Sequence, residues 1–233
     1  MGTQVSLHLR GPRVDTDPAV EPAVAAVFGY LRTADELFST YRPDSQISTL
    51  RRRELPRDEW HPWLTEVVAL CEEARDRTDG YFDPWRLPGG FDPSGLVKGW
   101  AAENAAAHLA RLRGFDHYLN AGGDITAGVH GSRAPAWRVG VEDPADPSAF
   151  LAVLELRTGG LATSGSAARG PHIVDPHTGT HPSELQAVTV TGPTLLWADV
   201  FATAAFARGG EDVEEWVPSR APGYEIAALA RAP

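Results

Sequence analysis

The sequence predicts an α+β fold, and three observations carry that expectation. Strand-like alternation near the N-terminus runs into a long stretch with helical spacing, a block of short strand candidates spans residues 115 to 156, and an Ala-rich helical run stands on either side of that block. No internal repeat and no linker divides the chain, so residues 1–233 are expected to form a single domain of mixed or antiparallel sheets packed with helices.

Taken in order, Val5 to Arg10 alternates as a strand and stops at Gly11-Pro12-Arg13. Apolar residues then recur at helical spacing from about Pro18 to Ser39. Tyr41-Arg42-Pro43-Asp44-Ser45 is turn chemistry, and Asp44 or Ser45 can cap a short helix through Leu50. Trp60 to Arg77 predicts a second main helix, with Cys71 as a small core residue. The Gly- and Pro-rich stretch from Gly80 to Gly90 predicts a loop. Leu96 to Arg113 is strongly helical, with Asp92 and Ser94 ahead of it as caps. Phe115 to Asn120 and Ile125 to Val129 form a hairpin about Ala121-Gly122-Gly123-Asp124, and strands follow at Trp137 to Val141 and Leu151 to Leu156. After Leu161-Ala162-Thr163-Ser164-Gly165 comes an irregular stretch with three histidines. A strand from Ala187 to Thr191, a helix from about Thr194 to Arg208 and a last strand near Ile226 to Leu229 complete the expectation.

Composition excludes several classes of function. The chain has 42% hydrophobic residues, too many for a disordered polymer, and its apolar runs are cut by Arg, Asp and Glu, which excludes a membrane span. A net charge of -10 lacks the electrostatic footprint of a nucleic-acid binder, and Arg51-Arg52-Arg53 is expected to be a solvated loop. A single cysteine permits neither an internal disulfide nor a thiolate zinc cluster. No basic stretch followed by an apolar one stands at the N-terminus, so a cytoplasmic protein is expected. Met1-Gly2 with Ser6 fits a myristoylation pattern, but residues 3 to 9 alternate as a strand.

One residue stands out by type: Lys98 is the only lysine, and the other 20 of the 21 basic residues are arginine. An ammonium is a compact point charge where guanidinium is a planar fork, so the exception marks a site where the two do not interchange. Lys98 lies one turn inside a helix that begins near Ser94-Gly95, and a helix N-terminus with a lysine beside it suits phosphate or pyrophosphate. The segment is not a Walker loop, because Leu96-Val97 fill the Lys-Ser/Thr positions, and no Gly-x-Gly-x-x-Gly occurs. Asp199 and Thr203 lie four apart on one helix face, which offers a carboxylate and a hydroxyl to a hard cation. His172, His177 and His181 lie in a stretch broken by two prolines and a glycine, which argues against zinc. A single histidine acting as general base fits better, with Asp175 to orient it or hold the turn.

These pieces, in order, resemble the ApbE family of FAD:protein FMN transferases. The resemblance rests on Met1-Gly2-Thr3, Ser39 to Ser45, Gly80-Tyr81-Phe82-Asp83-Pro84, Asp92 to Gly99, Asn120-Ala121-Gly122-Gly123-Asp124, Ala162 to Gly165, His172 to Gly179, and Ala198-Asp199 with Thr203. It implies FAD held by Met1, Tyr41, Tyr81, Phe82, Asp83, Asp92, Lys98 and Ile173, and Mg2+ held by Asp199, Thr203 and the carbonyl of Gly95. It also implies the reaction: a Ser or Thr hydroxyl of an acceptor flavoprotein attacks the FMN phosphorus of FAD, AMP leaves, His172 takes the proton, and Lys98 stabilises pyrophosphate oxygens. Compared with many members, this chain shortens the loops after Pro84 and between Gly165 and His172, carries Val97 where alanine is common, and lacks a secretion signal. A more open pocket and a cytoplasmic acceptor are therefore expected. Two other functions stay open on the residues, an FAD pyrophosphatase in which water replaces the hydroxyl and an FAD-binding or storage protein.

Overall fold

Alternating burial along Val5–Arg10 produces the expected first strand, β1. The computed structural model describes residues 3–87, 89–166, 170 and 172–232. Helix α1 (Val20–Phe38) follows, then α2 (Gln46–Arg51), whose cap is Ser45: its hydroxyl accepts from the Ser48 N–H. A 3-10 turn (Arg57–Glu59) leads to α3 (Pro62–Arg77), which starts with proline at its first position, and then α4 (Ser94–Ala110). The hairpin is β2 (Asp116–Ala121) with β3 (Asp124–Gly128), and a longer ribbon is β4 (Trp137–Asp143) with β5 (Asp146–Leu156). The chain closes with β6 (Thr158–Gly165), β7 (Leu185–Gly192), α5 (Leu195–Arg208), α6 (Val213–Arg220) and β8 (Glu225–Arg231).

The main sheet has six strands in the order β1-β2-β3-β6-β7-β8, every neighbouring pair antiparallel, while β4 and β5 pair only with each other. The α+β expectation with antiparallel sheets is met. Side chains alternate between faces of a strand, so β2 and β6 each serve two cores. Leu119, Ala121 and Ala162 face the helices and join Leu96, Trp100, Phe201 and the rest of the main core. Ile125, Ala127 and Leu161 point the other way and pack against Val139 and Leu156 of the ribbon. The same alternation turns Asp124 and Ser164 toward the helices.

Three differences from the sequence reading have local causes. Residues 158–165 form a strand despite three glycines, because β6 runs so close to its neighbours that a Cβ on Gly159 would lie 2.3 Å from the Gly192 carbonyl oxygen, and one on Gly160 would lie 2.3 Å from Leu195 Cα. Helix α6 escapes the sequence pattern because it carries Pro218 in its interior. Arg51 is not part of a solvated loop: it ends α2, donates from Nε to the Phe91 carbonyl at 2.8 Å and pairs with Asp92 at 3.0 Å. Cys71 is fully buried, as expected. Among the described residues no helix is long and apolar enough to cross a membrane.

A buried histidine in β2 makes stability depend on pH. His117 packs its ring on Gly128, and its Nδ1 has no hydrogen-bond partner among the described residues. Burial, helped by nearby His130, pushes its pKa down to about 4. The unfolded chain takes up this proton near the ordinary histidine value of 6.5 while the folded chain resists until about 4. Unfolding therefore binds a proton across that window, and stability falls as pH drops through it, by a total on the order of 3 kcal/mol. Denaturant midpoints measured between pH 7 and pH 4 are expected to show this slope, and His117→Gln to flatten it.

Candidate functional site

Helix α4 meets α5 at Gly99, where α4 could not carry a larger residue. A Cβ on Gly99 would lie 3.0 Å from the Leu195 carbonyl oxygen and 3.0 Å from Asp199 Cβ. Two hydrogen bonds fix the crossing: the Gly99 N–H donates to Asp199 Oδ2 at 3.1 Å, and the Leu196 N–H donates to Glu103 Oε2 at 2.9 Å. Gly99→Ala gains up to about 1 kcal/mol in helix propensity but meets backbone that cannot move aside, at a cost of about 1–3 kcal/mol. The net expectation is a lower urea midpoint together with displacement of Asp199.

An amide at the Gly99 position of a helix ordinarily serves the carbonyl four residues earlier, which here is Gly95. Because that N–H is aimed at Asp199, the Gly95 carbonyl shares or gives up its donor and can accept another partner. Gly95 also allows Phe82 to approach, since a Cβ there would lie 3.2 Å from the Phe82 ring. At the start of α4, Asp92 accepts from the Ser94 N–H at 3.0 Å and from the Ser94 hydroxyl, while Arg51 braces its other oxygen. The caps expected at Asp92 and Ser94 are displaced: Pro93 is the N-cap and makes no side-chain cap bond, Ser94 is already helical, and the Asp92 carboxylate closes the turn onto Ser94.

The Lys98 side chain reaches across α4 to two buried carboxylates. It pairs directly with Asp124, which is 1% exposed, and lies 3.6 Å from Asp199 Oδ1. Burial raises the pKa of the Asp199 carboxyl, the Lys98 ammonium pulls it back, and the Asp124 charge raises it further. One turn along α5, the Thr203 hydroxyl lies 3.1 Å from the Ser164 hydroxyl. Asp199, Thr203, Ser164 and the Gly95 carbonyl thus offer hard oxygen donors beside a cavity of about 890 Å3. Among the described residues no three His, Cys, Asp or Glu side chains are placed to hold a metal, so a cation at Asp199 must draw on hydroxyl and carbonyl oxygen. That donor set suits Mg2+, which tolerates few protein ligands, and does not suit zinc.

The same cavity gathers the other residues named from the sequence. Tyr41, 91% exposed, stands at its rim, and Tyr81, Phe82, Asp83, Asp92, His172 and Ile173 line it with Gly95, Lys98, Asp199 and Thr203. Met1 lies outside the described residues. His172 is exposed, and its Nδ1 lies 2.9 Å from the Gly170 carbonyl oxygen. A carbonyl only accepts, so the neutral ring carries its proton on Nδ1 and leaves the Nε2 lone pair for a base. Asp175 does not touch that ring: it accepts from the His177 N–H at 2.8 Å and from the Thr178 hydroxyl at 2.9 Å, holding the turn. His177 bonds the Asp79 carbonyl and packs edge-on against Tyr81, and His181 bonds the Ile173 carbonyl, so the three rings serve three separate backbone groups. Sequence reasoning gave no role to Asp124 or Ser164, although both lie in segments it singled out. The signal was a carboxylate directly after two glycines, which looks like an ordinary turn until the register of β3 turns it toward Lys98.

A family model described as "ApbE family" matches residues 1–88 and 86–228. The chain is 37% identical over 142 residues to a protein of Escherichia coli K12 named FAD:protein FMN transferase, a match that covers 54% of this chain and 39% of the relative, so it spans well under half the relative's length. The ApbE protein of Thermotoga maritima superposes with a TM-score of 0.82 at 21% identity, covering 99% of this chain and 94% of the other. The flavinyl transferase ApbE of Pseudomonas stutzeri gives a TM-score of 0.77 at 20% identity, covering 99% and 94%. At these identities the two structures speak to the fold alone.

Proposed function

The chain belongs to the ApbE family, and from that premise we propose that it is a Mg2+-dependent FAD:protein FMN transferase, moving FMN from FAD to a Ser or Thr hydroxyl of an acceptor flavoprotein with release of AMP. The observation that carries this reading is the convergence of the α4 N-terminus, Lys98 and the buried Asp199 on one cavity of a size that holds a large organic ligand. The name of the E. coli relative supports it.

In this reading the flavin end of FAD lies among Tyr41, Tyr81, Phe82, Asp83 and Ile173, with Met1 and Asp92 also contributing to binding. The pyrophosphate faces the first turn of α4, whose N–H groups and positive end favour its charge. Lys98 places an ammonium beside the pyrophosphate oxygens, where charge builds as the P–O bond breaks. Asp199, Thr203 and the Gly95 carbonyl would hold Mg2+, which when bound supplies charge neutralisation at the pyrophosphate. His172 takes the proton of the acceptor hydroxyl at Nε2 as the new O–P bond forms to the FMN phosphorus. The bond between the FMN phosphorus and the bridging oxygen breaks, and AMP leaves with that oxygen.

The exposed rim at Tyr41 and His172 also admits water, which favours the pyrophosphatase as the second reading. Chromatography of the nucleotides after incubation with FAD and Mg2+ separates them. The transferase reading expects AMP to form in step with acceptor and to be scarce without it. AMP release that ignores the acceptor would establish hydrolysis, and FAD left intact with acceptor present would point to a binding or storage protein.

A further inference from the structure

Lys98 and Asp199 line the cavity, the buried Asp124 lies behind them, and the geometry of the three charges is uneven. The Lys98 ammonium pairs closely with Asp124 and more loosely, at 3.6 Å, with Asp199, although both carboxylates are buried. Asp124 does not owe its place to the lysine. It opens β3 after a turn in which Gly122 and Gly123 both have positive φ, 67° and 102°, and the register sets it opposite Ala121. Its Oδ1 accepts the Thr163 N–H of β6 at 3.2 Å. The sheet therefore presents a fixed carboxylate that draws the ammonium to one side. Asp199, held by the Gly99 N–H through Oδ2, has its Oδ1 on the side toward Lys98.

We propose that Asp124 is a positioning residue that holds the Lys98 ammonium back from a close pairing with Asp199 and so leaves the Asp199 carboxylate available to a divalent cation. The inference rests on the metal assignment made under the proposed function. Coulomb attraction grows as the dielectric falls, so with Asp124 neutral the ammonium would close on the remaining buried carboxylate. An entering cation would then have to displace it. The charge count points the same way: two carboxylates and one ammonium leave one net negative charge for the cation, whereas one carboxylate and one ammonium leave none. In this arrangement the lysine remains beside the cavity for the pyrophosphate while a cation binds next to it, and Asp124 touches neither.

The test measures Mn2+ alone binding to the full chain without FAD, from the loss of the free Mn2+ resonance. Asp124→Asn is expected to weaken binding on the order of tenfold or more, the scale of one close, partly buried charge pair that must be broken. Adding Lys98→Met to Asp124→Asn removes the competing ammonium and restores one net negative charge, so affinity returns close to that of the parent, and Asp124→Glu keeps it. A parent-like affinity in Asp124→Asn, or a loss that Lys98→Met does not repair, overturns the inference. The second result would make Asp124 a structural support or a ligand of the ion itself. If Asp124→Asn fails to fold, Lys98→Met alone decides: parent-like or tighter Mn2+ binding supports the competition, and weaker binding overturns it. A parent protein that binds no Mn2+ brings down both the metal assignment and this inference, whereas one that binds it while Asp124→Asn is unchanged brings down the inference alone.

Discussion

Asp199→Ala is expected to lower Mg2+-dependent flavin transfer by about 10²–10³-fold, the scale on which one preorganised electrostatic partner of a charged transition state contributes. The carboxylate is 2% exposed and lines the cavity together with Thr203 and Gly95. The nearby buried carboxylate of Asp124 is committed to Lys98 and Thr163. The folded protein should survive the change. Removing Asp199 takes away a charge that burial disfavours, and Lys98 keeps Asp124 as its partner, but the Gly99 N–H loses its acceptor across the helix crossing, so the melting temperature is expected to fall by a few degrees without loss of the fold. Activity and melting temperature measured together therefore separate a lost cation site from a lost fold. Unchanged transfer in this variant would remove Asp199 from the metal site.

His172→Ala is expected to reduce transfer by about 10²–10⁴-fold, the usual contribution of a general base, while FAD binding is largely kept. The separation follows from position. His172 is exposed at the mouth of the cavity, and its ring makes a bond to the Gly170 carbonyl and none to the Lys98 cluster, so its loss leaves the floor of the cavity intact. Fluorescence titration with FAD measures the first quantity and acceptor labelling the second. Transfer at the parent rate would show that another group, or solvent, takes the hydroxyl proton.

How much of this was legible in the sequence differs by element. Runs with one strong period were readable nearly to their ends: β1 matches its expected bounds, and α1, α3 and α5 begin and end within about two residues of theirs. Elements whose local chemistry contradicts their structure were not. β6 carries paired glycines that only make sense beside Gly192 and Leu195, and α6 carries a proline. For the site, Lys98 announced itself by being the only lysine, and Asp199 with Thr203 by helical spacing. Asp124 and Ser164 could not be found the same way. Their roles depend on which face of β3 and β6 meets the helices, and that depends on register across the whole sheet. Arg51 misled for a related reason, since a triple arginine reads as solvated until the loop at Phe91 and Asp92 folds back onto it.

The central claim is that the Lys98 and Asp199 cavity moves FMN from FAD to a hydroxyl of another protein. Its most direct test incubates the full chain with FAD, Mg2+ and a flavoprotein domain that bears a Thr-containing acceptor motif, then examines the denatured acceptor for flavin fluorescence. The account predicts a fluorescent acceptor band that disappears when EDTA is present and when the acceptor threonine is replaced by alanine. An acceptor that stays dark while FAD is bound and intact, or a band indifferent to EDTA, would contradict it.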